Sequence, residues 1–154
     1  MYASATKMKN QFLEKPTEDN IKEIGERFCL RDAVVSLDAN DVKEIMADAE
    51  NAIVLTGKAT GSNRLADAIE DAILHTCSVA SEYDLFTANK VLLYIVSPKR
   101  QPMLMSENTA LCTFMEMFPH ATEWRWGLAE RSDILDMRIV IIASNLRIIS
   151  HLVQ

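Results

Sequence analysis

The stretch NAIVLTGKATGSNRLADAIEDAIL, residues 51–74, carries the clearest structural pattern in the chain. It begins as an apolar run typical of a β-strand, passes through a turn with two glycines, and ends in the strongest helical pattern of the sequence. The apolar side of this helix lies opposite its acidic side, so one face should pack on a core. The apolar stripe consists of Leu65, Ala68, Ile69, Ala72 and Ile73. The stretch therefore predicts a strand followed by an amphipathic helix.

The sequence after this unit predicts a second strand and helix and then two further strands. A continuous apolar run over 90–97 suits a strand that is covered on both faces. Ser106 and Glu107 are start signals for a helix, which a proline ends. Two β-like runs, 122–130 and 136–145, follow with a short acidic turn between them.

The order of elements from residue 51 is therefore β-α-β-α-β-β, which predicts an α+β fold. Strands separated by a helix are expected to be parallel neighbours joined by right-handed crossovers. The last two strands are close enough in sequence to form an antiparallel hairpin. We predict a four-stranded mixed sheet with two helices on one face, preceded by N-terminal helices.

The residues before this unit predict two helices. The first covers 17–31, and Thr17 or Asp19 can cap it. A loop over 32–39 follows, and the second helix covers 40–50. Both helices would lie before the strand-rich part of the chain.

The composition is typical of a soluble globular protein, and the length fits one domain, or one domain with an appendage. Of 154 residues, 49% are apolar and 25% are charged, and no apolar run is long enough to span a bilayer. We divide the chain into an N-terminal helical extension, residues 1–33, and one domain, residues 34–154. The net charge of −6 argues against nucleic-acid binding, and three widely spaced cysteines favour reduced thiols in the cytoplasm.

Most residues that could carry chemistry have an ordinary structural interpretation. The glycine pair in TGKATGSNR, residues 56–64, matches neither phosphate-binding signature, and a strand-to-helix turn that needs glycine conformations explains it. The three histidines have no partner at metal-ligand spacing, so we predict no metal site and no cofactor. Cys112 has apolar neighbours and is expected to be buried.

The two tryptophans, Trp124 and Trp126, lie two apart in a predicted strand and therefore share a face. They can form an aromatic contact patch for a partner. They can equally pack under a helix, as most large aromatic side chains do. The sequence leaves both interpretations open.

Asp38 and Asp41 stand where the loop becomes the second helix. At the N-cap and N3 positions, Asp38 can accept backbone N–H bonds while Asp41 reaches back and complements the helix dipole. The same two carboxylates could instead act on a substrate. Their spacing alone favours the cap.

Four segments of the chain occur together in one known family. They are VSLDANDVKEIM (35–46), TGKATGSNRLADAIEDAI (56–73), NKVLLYIVS (89–97) and DMRIVIIASN (136–145). In order and spacing they resemble the C-terminal half of FtsZ, the bacterial tubulin-like cell-division GTPase. The resemblance runs from residue 34 to about residue 146, and the β-α-β-α-β-β order agrees with the fold of that domain.

The resemblance implies that Asp38 and Asp41 are catalytic residues that act only in trans. In FtsZ, the two aspartates of this loop enter the nucleotide pocket of the next subunit and position the attacking water. The loop departs from the family where Ser36 replaces an asparagine and Ala39 replaces an aromatic residue. The partner-binding surface that the resemblance implies consists of Ser36, Asp38, Asp41 and Lys43.

The function that the resemblance implies is an interaction without catalysis by this chain alone. Residues 1–33 lack the glycine signature of the FtsZ GTP-binding domain and are too few to form it. We expect a non-enzymatic module that binds FtsZ, another tubulin-like GTPase or itself as a homo-oligomer, and that modulates cell-division filaments in the cytoplasm. The alternative is the C-terminal half of a split or truncated FtsZ-type GTPase. No nucleic-acid or membrane partner is expected.

Overall fold

The computed structural model describes residues 5–28 and 33–149. None of the helices in this described part is long and apolar enough to cross a membrane. Short 3-10 segments occur at Ala5–Lys7, Leu85–Thr87 and Met105–Glu107. The helices and strands are, in chain order, β1 (Gln11–Glu14), α1 (Glu18–Gly25), β2 (Ala33–Val35), α2 (Ala39–Met46), β3 (Asn51–Ala59), α3 (Arg64–Leu74), α4 (Thr76–Val79), β4 (Tyr83–Asp84), β5 (Lys90–Pro98), α5 (Asn108–Glu116), β6 (Glu123–Arg131), β7 (Met137–Ser144) and β8 (Arg147–Ile148).

Six strands form one mixed sheet in the order β1-β3-β7-β5-β6-β2, and β4 pairs with β8 separately. β5 and β6 are parallel neighbours with α5 between them in sequence, whereas the other neighbouring strands are antiparallel. The predicted α+β class and the mixed sheet of four main strands, β3, β5, β6 and β7, are confirmed. The sheet also gains two short edge strands, β1 and β2, that the sequence did not predict.

The predicted hairpin between β6 and β7 is wrong. β7 lies between β3 and β5 and pairs antiparallel with both of them, so β6 and β7 are not neighbours. The expected parallel pairing of β3 with β5 across α3 is wrong for the same reason, whereas that of β5 with β6 across α5 is confirmed. All residues of β7 except one are buried, whereas most of β6 is only half-buried. A strand that is apolar on both faces buries most surface at the centre of a sheet, which explains its position.

Helices cover both faces of the sheet. α3 and α5 pack on one face, as predicted, around a core that includes Leu65 and Phe114. α1 and α2 pack on the opposite face, around a core that includes Ile24 and Val42. Alternate residues of β5 contribute to each core, as the period of a strand requires.

The two glycines of the stretch 51–74 have different roles. Gly61 has a φ of +101° in the turn before α3, a conformation that favours glycine. Gly57 lies inside β3, where an added Cβ would stand 2.2 Å from the backbone oxygen of Ala68 in α3. The predicted turn role therefore holds for Gly61, whereas Gly57 is required because α3 approaches the strand closely.

The N-terminal region follows the prediction in part. Thr17 caps α1 through a capping box with Asn20. The helix ends at Gly25, earlier than predicted, because glycine is a poor helix residue; residues 29–31 of the predicted helix fall outside the described part of the chain. The predicted loop before α2 is wrong at Ala33–Val35, which forms β2 along the edge of β6. The division into extension and domain stays a prediction.

Candidate functional site at the start of helix α2

The start of α2 is fixed by the strand and the apolar residue that precede it. β2 pairs with β6, and Leu37 is only 2% exposed. Leu37 lies over Gly127 of β6 so closely that a Cβ on this glycine would stand 2.5 Å from the Leu37 Cβ. Val42, Ile45 and Met46 then bury the inner side of α2. The loop and first helical turn are therefore held at the surface beside β6.

Asp38 and Asp41 form the predicted capping box. Oδ1 of Asp38 accepts the backbone N–H groups of Asn40 at 3.0 Å and Asp41 at 3.2 Å. Oδ2 of Asp41 accepts the backbone N–H of Asp38 at 3.0 Å. Each carboxylate satisfies N–H groups that the first helical turn leaves unpaired. Among the described residues, none bonds to Oδ2 of Asp38, which is the acceptor of this pair that stays available.

Arg125 of β6 contacts the same helix start, a contact that the sequence reading missed. Its Nε lies 3.4 Å from Oδ1 of Asp41, and its Nη2 bonds to Glu44 one turn further along α2. Glu123 contributes a third carboxylate at 3.6 Å. The signal in the sequence is strand alternation: in β6, Arg125 lies between Trp124 and Trp126 and must project to the opposite face.

Within this cluster, the pKa values of Glu44 and Arg125 depart from their usual values. The hydrogen bond and charge of Arg125 hold the pKa of Glu44 below its usual value. The pKa of Arg125 is raised, first by its hydrogen bond to Glu44 and then by the neighbouring carboxylates. Both groups therefore keep their charges throughout the neutral range. At this helix start, Asp41 is bound on both of its oxygens, one in the cap and one at Arg125.

The predicted partner-binding residues form one surface around the cap. Ser36 and Lys43 are exposed, and Asp38 and Asp41 are half-buried. Lys43 also lines a groove of about 910 Å³ between α1, α2 and the start of β3. Two further lysines, Lys15 and Lys22, line the same groove. Ala39 and Asn40 of α2 connect the loop to this groove, whose lining also includes four acidic residues, Glu18, Glu26, Asp48 and Glu50.

Arg64 fixes the segment that follows β5, and this role was also missed. Arg64 is 8% exposed, and its guanidinium binds both oxygens of Glu107 at 3.0 and 2.9 Å. The same guanidinium donates to the backbone oxygens of Gln101 at 2.8 Å and Pro102 at 3.0 Å. Glu107, which the sequence marked only as a helix start, therefore joins α3, the loop and α5.

The remaining candidates take structural positions. Cys112 is exposed, so its predicted burial is wrong: α5 turns Leu111 and Phe114 to the core and Cys112 to the outside.

Trp124 packs against Phe114, with ring centres 6.1 Å apart, whereas Trp126 is 41% exposed. Trp124 thus takes the packing role and Trp126 stays a candidate for contact with a partner. Within residues 5–28 and 33–149, no group of His, Cys, Asp or Glu is arranged to hold a metal ion.

Comparison with known proteins supports the resemblance to FtsZ. No family model matches the chain. A curated relative, the cell division protein FtsZ of Porphyromonas gingivalis, is 26% identical over 116 residues, which are 75% of this chain and 25% of that protein. The chain thus spans about a quarter of the length of this relative.

Solved structures of FtsZ and TubZ share the fold. An empty FtsZ dimer from M. jannaschii matches 80% of this chain and 35% of its own chain, with a TM-score of 0.63 and 20% identity. A protofilament of TubZ from Bacillus thuringiensis serovar israelensis matches 83% of this chain and 34% of its own, with a TM-score of 0.55 and 12% identity. The resemblance to FtsZ stated from the sequence is therefore confirmed, and the chain has a fold that FtsZ and TubZ share.

Proposed function

We propose that this chain is an interaction module that binds a tubulin-like GTPase subunit or a second copy of itself and modulates cell-division filaments. The observation that carries this proposal is the aspartate pair at the start of α2, held at the surface by β6 and Leu37. A similar TubZ structure is a protofilament, and a similar curated protein is named for cell division. Assembly with such a subunit is therefore the interaction that we assign to this surface. We place this interaction in the cytoplasm.

The proposed contact begins at Asp38. One oxygen of this carboxylate is used by the cap, while the other has no partner among the described residues. A carboxylate in this position can accept a hydrogen bond from a water or a donor group of the partner. Asp41 contacts the backbone of Asp38 and the guanidinium of Arg125, so it fixes the geometry of the helix start and adds negative charge. Exposed Ser36 and Lys43 flank the pair and complete the surface.

A second candidate is the C-terminal half of a split FtsZ-type GTPase, in which Asp38 and Asp41 position water at a nucleotide bound by another chain. The observation that favours it is the length of the match, since the chain spans a quarter of the curated FtsZ. This candidate predicts GTP hydrolysis only in a mixture with a nucleotide-binding chain. The interaction module instead predicts a change in the assembly of an FtsZ that is already complete.

A pair of substitutions separates recognition by the carboxylates from their structural role. Serine is a good N-cap residue and glutamine completes a capping box, so Asp38→Ser with Asp41→Gln keeps the cap and removes both charges. The matched control is Asp67→Asn with Glu70→Gln on α3, which removes two exposed acidic charges elsewhere. Thermal unfolding should show both double variants to be folded.

The test adds each protein to polymerising FtsZ from the same cell and measures sedimented polymer and phosphate release. We expect the original protein and the control to change sedimentation, and the variant at Asp38 and Asp41 to lose this effect. An original protein that changes neither quantity at several-fold excess contradicts the proposal. Light scattering on the chain alone tests the homo-oligomer, and GTP turnover restored only in a mixture supports the split enzyme instead.

A further inference from the structure

The edge of β3 is open beyond the point where β1 ends. β1 pairs with β3 only from Asn51 to Val54. Beyond Val54, side chains accept hydrogen bonds from the backbone N–H groups at this edge. Asn10 accepts the N–H of Thr56 at 2.7 Å, and Asp71 accepts the N–H of Lys58 at 3.0 Å. These bonds protect the edge from pairing with another chain. They also leave a recess of about 480 Å³ beside the strand.

Three basic side chains line this recess. Lys58 of β3 and Arg138 of β7 are direct cross-strand partners in the antiparallel register, so their side chains project from the same face. Lys7, from the N-terminal 3-10 segment, lines the same recess. Like charges directly opposite each other destabilise an antiparallel pair. In a protein with a net charge of −6, these three basic side chains form a local concentration of positive charge that attracts anions.

The carboxylates of the region compensate these cations only in part. Asp136 binds Nε of Arg138 at 2.7 Å, and no described residue bonds to the two terminal nitrogens of this guanidinium. Asp71 is the carboxylate that lines the recess, and one of its oxygens is used by the backbone of Lys58. Asp133 is bound to Arg131, which lowers its pKa more than Lys7 does. Donor groups of Lys58 and Arg138 therefore remain for a ligand.

A histidine adds a further hydrogen-bonding side chain to the same recess. Nδ1 of His75 lies 2.9 Å from the carbonyl oxygen of Thr56. A carbonyl oxygen only accepts hydrogen bonds, so Nδ1 carries the proton and donates it. No described residue bonds to the second ring nitrogen, Nε2, and His75 lines the recess together with Lys58 and Arg138.

We propose that this recess binds a phosphate group, either as free phosphate or at the end of a small phosphorylated molecule. The two terminal nitrogens of Arg138, to which no described residue bonds, match the oxygens of phosphate, and lysines add compact charges. The volume exceeds that of a bare ion and lies within the range of small-molecule sites. The site is separate from the start of α2 and does not depend on the function proposed for that surface.

The test is an NMR titration of the full chain with inorganic phosphate and with phenyl phosphate, at an ionic strength held constant with sodium chloride. We expect saturable shifts at Gly57, Lys58 and Arg138. Lys58→Met should weaken binding by about tenfold, because it removes one charged hydrogen bond. Lys90→Met is the matched control, since Lys90 pairs with Ser144 at the opposite end of β7 and should leave binding unchanged.

Stability measurements separate a ligand site from a structural cluster. Because Lys58→Met removes a like-charge pair, it should leave the phosphate-free protein at least as stable as the original. It should also reduce the rise in unfolding temperature that a given concentration of phosphate causes, because the affinity is about tenfold lower. Stronger binding of phenyl phosphate identifies a phosphorylated molecule as the ligand, and equal or weaker binding identifies free phosphate. Shifts that follow ionic strength alone, or unchanged affinity in Lys58→Met, overturn the proposal.

Discussion

Replacing Gly57 with alanine should separate α3 from the sheet that it covers. An added Cβ would stand 2.2 Å from the backbone oxygen of Ala68, 2.6 Å from the backbone nitrogen of Ala72 and 2.9 Å from its Cβ. Carbon atoms in favourable contact are about 3.5–4.0 Å from their neighbours, so the helix must move by roughly 1 Å. Two of the three close atoms belong to the helix backbone, which a rotamer change cannot relieve.

The expected cost follows from this displacement. Overpacking of a core typically costs about 1–3 kcal/mol, and we expect about 3 kcal/mol because the clash is with backbone. For a chain of this length, each kcal/mol lowers the unfolding temperature by about 2–4 °C, so the midpoint should fall by about 6–12 °C. The buried residues of α3, including Leu65 and Ile69, lose contacts together. Far-UV circular dichroism during heating and urea titration measures both quantities.

Two further variants identify the cause of the loss. Gly61→Ala introduces an unfavourable φ without any atom within 4 Å, and it should cost about 1 kcal/mol. Adding Ala72→Gly to Gly57→Ala removes only the 2.9 Å contact with a side chain and should recover little stability. The reasoning is refuted if Gly57→Ala lies within about 0.5 kcal/mol of the original protein, the range of a neutral surface change. Full recovery by Ala72→Gly refutes it as well.

Two other substitutions test the cap of α2 and the buried ion pair. Asp38→Ala should lower the free energy of unfolding by about 1 kcal/mol and Asp38→Ser by much less, which urea titration measures; equal losses contradict the capping role. Arg64→Met should cost about 3 kcal/mol at neutral pH, because it leaves Glu107 without its partner. Arg64 lowers the pKa of Glu107, so the pair stabilises the fold above the unfolded pKa of about 4.3, and that contribution is lost as pH falls through the folded pKa. Urea titration at neutral and acidic pH should therefore show a smaller cost of Arg64→Met in acid, and a cost independent of pH contradicts this role.

The local elements were predictable because their signals are contained in short segments. The apolar stripe of residues 65–73 specified α3, and the spacing of Asp38 and Asp41 specified the capping box. Both depend on helical geometry, which repeats every few residues along the chain. The resemblance to FtsZ was also readable, because four short segments carry it in a fixed order. The main helices and strands from residue 51 onward and the candidate helix start thus followed from the sequence, whereas the short strands β1 and β2 did not.

The order of the strands was not predictable from the same signals. The short turn between β6 and β7 suggested a hairpin, yet β7 pairs with β3 and β5 instead. The length of a loop shows only which strands can become neighbours. Both faces of β7 are buried, and this burial decides that its neighbours are β3 and β5. Burial is a property of the whole sheet, and no window of sequence contains it.

What the sequence by itself determined about this protein is its main strands and helices from residue 51 onward, the caps of α1 and α2, and its resemblance to FtsZ. The tertiary structure decided which side chains meet. Arg125 reaches Asp41, and Lys58 stands opposite Arg138, although more than 70 residues separate the members of each pair. Such contacts depend on strand register, and a shift by one residue would turn every side chain of a strand to the other face. Register is set by the packing of both cores at once, which is why the ion pairs at α2 and the cationic recess emerged only from the fold.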